Sequence, residues 1–169
     1  MTPNLIIRAL TPDEWPIFKK LRLESLADSP SAFSASPESL VDQPDSYWFD
    51  RLDTADKTFV AFMGKTPVGM ASIYTKSNPK ISHIAEAWGV YVSPKYRGQK
   101  IGKELLQTII AEASSRSQFK KIRLGVTSSQ SQAFGLYKSL GFVQVGCYKN
   151  EIRVGDKYFD EILMEKSLE

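Results

Sequence analysis

The spacing of apolar residues changes several times along the chain, and each change predicts a new element. The run Leu5–Ala9 predicts a first strand. Thr11–Glu14 has the features of a helix start: a capping threonine, a proline suited to the first helical position, and a glutamate that completes a capping box. Helical spacing of apolar residues continues to Leu26, and the Pro- and Ser-rich stretch Ser29–Pro37 predicts a loop. A short aromatic helix is expected over Ser46–Leu52.

Strand-like runs then alternate with two further helical stripes. The predicted strands and helices, in chain order, are Thr58–Met63, Val68–Thr75, Ile84–Val92, the helix with its stripe from Ile101 to Ala113, Lys121–Val126, the helix Gln130–Leu140 closed by Gly141, and the hairpin strands Phe142–Val154 and Lys157–Glu165 around Gly155-Asp156. This order predicts an α/β (α+β) fold, with one mixed sheet and helices rather than a pure β-α-β alternation.

Composition narrows the class of protein. The 169 residues are expected to form a single domain spanning 1–169, and 42% hydrophobic with 24% charged residues excludes a disordered chain. A net charge of +3 is too small to imply nucleic-acid binding. No apolar run approaches the roughly 18 residues of a membrane span, and the N-terminus has no signal-peptide core. Cys147 has no partner for an internal disulfide, so we expect a cytoplasmic protein.

The segment that follows the predicted strand Ile84–Val92 gives the clearest indication of function. Four cations, Lys95, Arg97, Lys100 and Lys103, precede any acidic residue, and the next helix is expected to start near Gly98. A helix N-terminus already carries about half a positive charge and free N–H groups, so cations there favour a bound phosphate or pyrophosphate. A solvated basic turn is the alternative. The P-loop and dinucleotide fingerprints are both absent.

Two motifs resemble those of a known family. Arg97-Gly-Gln-Lys-Ile-Gly102 resembles the R/Q-x-x-G-x-G/A signature of the GNAT superfamily of acetyl-CoA-dependent N-acetyltransferases, with Lys100 at the position of its first glycine. The stretch Gln130–Phe142 resembles the family's N-x-x-A-x-x-L-Y-x-x-L-G-F, with Gln130 in place of asparagine. Together with the order of elements, the resemblance covers nearly the whole chain.

The resemblance implies a GNAT-like, mostly antiparallel central sheet of about seven strands flanked by about four helices. It implies transfer of an acetyl group from acetyl-CoA to a primary amine by direct attack in a ternary complex. Acetyl-CoA would lie between the strands Ile84–Val92 and Lys121–Val126. The residues implied in cofactor binding are Val90, Tyr91, Val92, Arg97, Gly98, Gln99, Lys100, Ile101, Gly102, Lys103, Gln130 and Tyr137.

The same resemblance assigns two catalytic candidates. Tyr137 matches the family tyrosine that protonates the leaving thiolate, although its helical spacing alone indicates a core residue. Glu86 matches a catalytic glutamate of several members, and burial among apolar neighbours would raise its pKa toward that of a useful base. A surface carboxylate is the alternative for Glu86, and His83 ranks below it as a base. No His/Cys cluster that could bind a metal is present.

The acceptor is not identified by the sequence: a small molecule, a peptide N-terminus or a lysine all remain open. Family members bind acceptors with regions that correspond to Ser29–Phe33, Tyr47, Trp48 and Asn150–Asp160 here, and nearby acids could attract a cationic amine. The alternative function is a CoA-binding regulatory or interaction module without turnover. Binding of nucleic acid or membrane is not expected, and the strand edge of the closing hairpin is compatible with a homodimer.

Overall fold

The computed structural model describes residues 4–169, which form seven strands, five α-helices and three short 3-10 turns. The elements, in chain order, are β1 (Leu5–Ala9), α1 (Trp15–Asp28), α2 (Pro37–Leu40), α3 (Asp45–Leu52), β2 (Thr58–Met63), β3 (Thr66–Thr75), β4 (Ile84–Val92), α4 (Ile101–Ser115), β5 (Lys121–Thr127), α5 (Ser131–Ser139), β6 (Val143–Val154) and β7 (Lys157–Ser167). The 3-10 turns are Pro12–Glu14, Pro30–Ala32 and Pro94–Tyr96.

The seven strands form one sheet in the order β1-β2-β3-β4-β5-β7-β6. Every neighbouring pair is antiparallel except β4 and β5. The predicted mixed, mostly antiparallel sheet of seven strands is therefore confirmed. The helices number five rather than about four because the Ser/Pro-rich region contains the single-turn helix α2.

The sheet is covered on both faces, and alternating residues of β2 show how the two cores divide. Phe59 and Ala61 pack in the core with α4 and α5, whereas Val60 and Phe62 pack in the core with α1 and α3. Burial on both faces explains why β2 is an unbroken apolar run. The sheet is therefore the middle layer of the fold, and β4 and β5 lie within it.

The N-terminal helix starts with the predicted capping interactions. Glu14 accepts a hydrogen bond from the backbone N–H of Thr11 at 3.0 Å, and its two oxygens pair with Arg8 at 2.6 and 2.8 Å. These bonds lower the pKa of Glu14 to about 2, with the hydrogen bond from Arg8 as the largest cause. The first turn is a 3-10 turn, and the α-helix proper begins at Trp15.

Strands β4 and β5 separate soon after they meet. They pair only over Ile84–Glu86 and Lys121–Arg123, so in the described part of the chain β4 has no strand partner on that side beyond Glu86. In the ladder with β3, the register shifts between Met70↔Tyr91 and Ser72↔Trp88, and Gly89 has φ +63°. This is a β-bulge, which requires a residue that tolerates a positive φ. The bulge and the separation open a cleft in the middle of the sheet.

The helix predicted to start near Gly98 starts three residues later, at Ile101. Gly98 and Lys100 both have positive φ, at 79° and 65°. Left-handed backbone cannot continue a right-handed helix, so the basic loop stays irregular up to Lys100. Among residues 4–169, no helix combines the length and apolar character needed to cross a bilayer.

Candidate active site

Two adjoining cavities lie beside β4, where it separates from β5. The smaller one, about 460 Å³, is bounded by the basic loop and the first turn of α4, where the resemblance implies the cofactor, and is called the cofactor cavity. The larger one, about 680 Å³, lies toward β5 and β7, and is called the acceptor cavity. Both are lined by Ala32, Phe33, Val90, Gln130, Ala133 and Tyr137. The cleft is therefore continuous, with a basic end and an end rich in charges of both signs.

The basic end presents unpaired positive charge at a helix N-terminus. Lys95, Lys100 and Lys103 are exposed, and within residues 4–169 none has a carboxylate within 4 Å. The amides of Ile101–Lys103 belong to the first turn of α4, where backbone N–H groups have no partner within the helix. Lysines, free amides and the helix dipole together fit a diphosphate, such as that of a CoA thioester.

Arg97 is used differently from the other cations of this loop. Its Nε donates to the carbonyl oxygen of Val92 at 2.9 Å, and its Nη2 pairs with Asp28. The guanidinium also lies over the ring of Tyr91, 5.7 Å from the centroid. Burial acts to raise the pKa of Asp28, but hydrogen bonds from Ser29 and Arg97 outweigh it and lower that pKa. Arg97 therefore ties the loop to the end of α1.

Tyr137 lies where the two cavities meet. Its side chain is 6% exposed, and its ring packs edge-on against Phe142 with centroids 6.0 Å apart. Burial raises the pKa of Tyr137 to about 12, so the hydroxyl keeps its proton at neutral pH. The residue is part of the apolar core, as its helical spacing indicates, and it also lines the cleft. Its position and protonation suit a proton donor.

Glu86 lines the acceptor cavity but is already paired with cations. Its Oε1 lies 2.8 Å from the Nζ of Lys76 and 3.9 Å from Nη1 of Arg123. The expected apolar surroundings are therefore not found. The reason is the register of β4 and β5, which places Glu86 directly opposite Arg123. Glu86 therefore lies in an ion-pair network rather than among apolar groups.

Of the charged residues in the wall of the acceptor cavity, only Glu86 was singled out as functional from the sequence. Arg22 faces the cavity from α1, and Glu161 faces it from β7. Arg22 stands at the helical spacing of the apolar residues of α1. Alternation along β7 places Glu161, Leu163 and Glu165 on one face. That period of two was the available signal for Glu161.

The remaining predicted residues divide into those that line the cleft and those that do not. The wall of the cofactor cavity includes Val90, Tyr91, Val92, Arg97, Gly98, Lys100, Ile101, Gly102, Lys103, Gln130 and Tyr137. Gln99 is exposed and is not part of this wall. The hydroxyl of Tyr91 donates to Glu24 at 3.1 Å, which takes its polar end away from the cleft.

Several residues expected near the acceptor lie elsewhere. Trp48 is fully buried and packs in the core with residues of α1. His83 is exposed and, like Tyr47, is absent from the walls of the described cavities. Asn150–Asp160 does not line the cavities either, although Tyr148 and Glu161 on its flanks do. Residues 4–169 contain no group of three or more His, Cys, Asp or Glu side chains placed to hold a metal ion.

A basic loop at a helix start, beside a cleft that splits a mixed sheet, is the arrangement of a CoA-dependent acyltransferase. The model of the acetyltransferase (GNAT) family matches residues 18–142. The chain belongs to this family, which confirms the predicted resemblance.

A curated protein is similar to part of this chain, and solved structures share its fold. A phosphinothricin N-acetyltransferase of Alcaligenes faecalis is 32% identical over 79 residues, which are 47% of this chain and 40% of that protein. The aligned part thus spans about two fifths of the length of that curated relative. A GNAT-family acetyltransferase structure from Streptococcus pneumoniae matches with a TM-score of 0.86 and 20% identity, covering 97% of this chain and 99% of the other. A putative acetyltransferase from Salmonella typhimurium, solved with its cofactor acetyl-CoA, has a TM-score of 0.85 and 20% identity, covering 98% and 95%.

Proposed function

We propose that this protein is an N-acetyltransferase that transfers the acetyl group of acetyl-CoA to a primary amine. Family membership supports acyl transfer as the reaction class. The observation that carries the proposal is the continuous cleft between β4 and β5, with unpaired lysines at one end and Tyr137 at its centre. A regulatory module without turnover would need the basic end alone, so the second, charged cavity favours an enzyme.

Acetyl-CoA supplies an activated thioester, whose C–S bond breaks as the amine nitrogen forms a bond to the acetyl carbon. At the basic end, Lys95, Lys100, Lys103 and the free amides of α4 hold the diphosphate. The unpaired edge of β4 near Val90 offers backbone N–H groups to the pantetheine arm and the acetyl carbonyl. These contacts position the thioester beside the acceptor cavity, so the chain acts first by fixing two substrates in one cleft.

Two protons must move during the reaction. We propose that Tyr137 donates its hydroxyl proton to the departing thiolate, since the phenol is protonated at neutral pH and lines both cavities. An amine with a pKa near 10 is mostly an ammonium at neutral pH and must lose a proton before it attacks. Glu86 remains the base predicted from the sequence. Glu161 is a second candidate, because it lines the same cavity and, within residues 4–169, has no cation within 4 Å.

The proposal also covers the binding partners of the protein, its cellular location and its oligomeric state. The required partners are acetyl-CoA and an amine acceptor. The exposed, unpaired thiol of Cys147 supports a cytoplasmic location, where thiols stay reduced. Strand β6 lies at one edge of the sheet and exposes Val143, Val145 and Tyr148, which supports a homodimer through this edge.

The test combines binding with turnover. Acetyl-CoA binding is measured by calorimetry, and thiol release is followed with a panel of amines that includes small amines, amino acids, peptides with free N-termini and lysine side chains. We expect micromolar-range binding and turnover of at least one class. Binding without turnover of any class would support the regulatory module instead, and absence of binding would refute both. The base is identified by measuring the pH dependence of kcat/KM for Glu86→Gln and for Glu161→Gln. The substituted residue is the base in the variant whose kcat/KM no longer depends on a deprotonated group.

A further inference from the structure

The wall of the acceptor cavity contains two residues of opposite charge that have no ion pair among the described residues 4–169. Of the six charged residues in its wall, Lys76 and Arg123 pair with Glu86, and Arg123 pairs also with Glu165. Only Arg22 and Glu161 have no ion pair within residues 4–169. Arg22 is buried and Glu161 is partly buried, so an uncompensated charge on each is costly, and this points to a ligand that carries the complementary charges.

Arg22 is the more unusual of the two. Its side chain is 8% exposed, and Nη1 is buried with no hydrogen-bond partner within residues 4–169. The guanidinium lies between aromatic rings, 4.8 Å from the centroid of Phe33 and 5.3 Å from that of Trp88. Burial, and then repulsion from Arg51, lowers the pKa of Arg22 to about 10, so the cation persists at neutral pH. A planar, desolvated guanidinium with a free donor is suited to bind a carboxylate.

Glu161 is placed to receive the opposite end of a ligand. It lies on β7 opposite Thr127, and its carboxylate occupies space beside Gly125 that a larger residue there would fill. Burial is the main cause that raises the pKa of Glu161, with a smaller contribution from Glu151. Desolvation without a cationic partner makes an ammonium group a favourable guest for this carboxylate.

We propose that the amine acceptor is a zwitterion, an amine that also carries a carboxylate, with the carboxylate bound by Arg22 and the ammonium received by Glu161. This inference rests on the proposed acetyltransferase function and narrows its acceptor to the chemistry of free amino acids. An acceptor of this kind satisfies both unpaired charges at once. A simple monoamine or an internal lysine side chain would leave Arg22 unpaired.

The test uses matched pairs of amino acids and their amides, which differ in the carboxylate charge and little in size. Thiol release from acetyl-CoA is measured with the free acid and the amide of each side chain. We expect kcat/KM at least tenfold higher for the acid of the best pair. An equal or higher value for the amides would overturn the inference while leaving the acetyltransferase function intact. Failure of every amine, in the presence of measured acetyl-CoA binding, would overturn both.

Arg22→Met separates recognition from folding, because methionine keeps an apolar chain between the two rings and removes the unpaired charge. We expect a melting temperature equal to or above that of the wild type, a loss of the preference for acids, and a change below threefold with amides. Lys20→Gln is the matched control, since Lys20 is exposed on the same helix and lies outside the cavity wall. It should keep the preference for acids. A strong fall in melting temperature, with acid and amide activity lost in parallel, would assign Arg22 to the fold and overturn the inference.

Glu161→Gln provides an independent readout. We expect the KM for the amino acid to rise at least tenfold, with an unchanged Kd for acetyl-CoA measured by calorimetry. An unchanged KM would remove the ammonium contact from the proposal and overturn it.

Discussion

Replacing Lys100 with glycine should raise thermal stability and weaken cofactor binding at the same time. Lys100 immediately precedes α4 with φ 65° and ψ 5°, in the left-handed region. A non-glycine residue there costs about 1–2 kcal/mol. Glycine relieves this cost but loses about 0.5–1 kcal/mol in backbone entropy, which leaves a net gain of about 0.5–1 kcal/mol. For a chain of this length the melting temperature should rise by about 1–4 °C.

The same substitution removes one cation from the proposed diphosphate site. Lys100 is exposed, so solvent screens its interaction with a bound anion, and the loss should be about 0.5–1 kcal/mol. This corresponds to an acetyl-CoA affinity about two- to fivefold weaker by calorimetry. The difference from wild type should shrink as salt is added, because screening weakens an exposed charge first.

Lys100→Gln is the matched control, since it removes the charge and keeps the left-handed strain. It should weaken acetyl-CoA as much as Lys100→Gly without raising the melting temperature. If the glycine variant melts at or below the wild-type temperature, the strain argument is wrong. If both variants bind acetyl-CoA as tightly as the wild type, the diphosphate does not lie beside this loop.

Three further outcomes follow from contacts at the site and in the fold. Tyr137→Phe should lower kcat about tenfold or more in steady-state assays, with the Kd for acetyl-CoA within twofold; an unaltered kcat would remove the hydroxyl from the chemistry. Glu14 has its pKa lowered to about 2 by Arg8, so this interaction stabilises the fold above about pH 4.5 and is lost as pH falls toward 2. Glu14→Gln should therefore lower the free energy of unfolding at pH 7 by less than about 1 kcal/mol, and the difference from wild type should vanish at low pH. Thermal unfolding measured across this pH range checks it, and a difference that stays constant with pH would contradict it. Gly69→Ala would place a Cβ atom 2.8 Å from a backbone carbonyl oxygen of β4, which should cost about 1–3 kcal/mol in denaturant unfolding, whereas Gly135→Ala in α5 has open space and should not destabilise; equal effects of the two would refute the packing argument.

Much of this fold could be predicted from the sequence because the spacing of apolar residues differs clearly between its strands and its helices. The unbroken apolar run of β2 and the helical stripe of α4 both reflect faces that are buried in the structure. The start of α4 was misplaced because the sequence suggests a helix at Gly98, while the left-handed backbone at Lys100 delays it. A lysine gives no local sign of a positive φ, so only the tertiary structure revealed it.

The candidate site was predicted less completely, because its charges depend on register. The residues of the basic loop and Tyr137 could be located by resemblance, because each belongs to a short continuous motif. One motif lies at the start of α4 and the other lies in α5. Glu86 was expected among apolar neighbours, yet the three-residue pairing of β4 with β5 sets it opposite Arg123. No pattern within β4 alone contains that information.

The same dependence on register explains how the acceptor cavity comes to have two unpaired charges. Strand pairing brings Arg123 beside Glu86 and Glu165, so the cations and acids contributed by β4, β5 and β7 neutralise one another. Arg22 comes from α1, on another element, and Glu161 lies farther along β7, beside Gly125. Neither has an ion pair within residues 4–169, because the pairing that neutralises the other charges runs through Arg123, which lies opposite Glu86 and Glu165. Two residues of opposite charge in one cavity wall are therefore open to a ligand, which is the basis of the proposed zwitterionic acceptor.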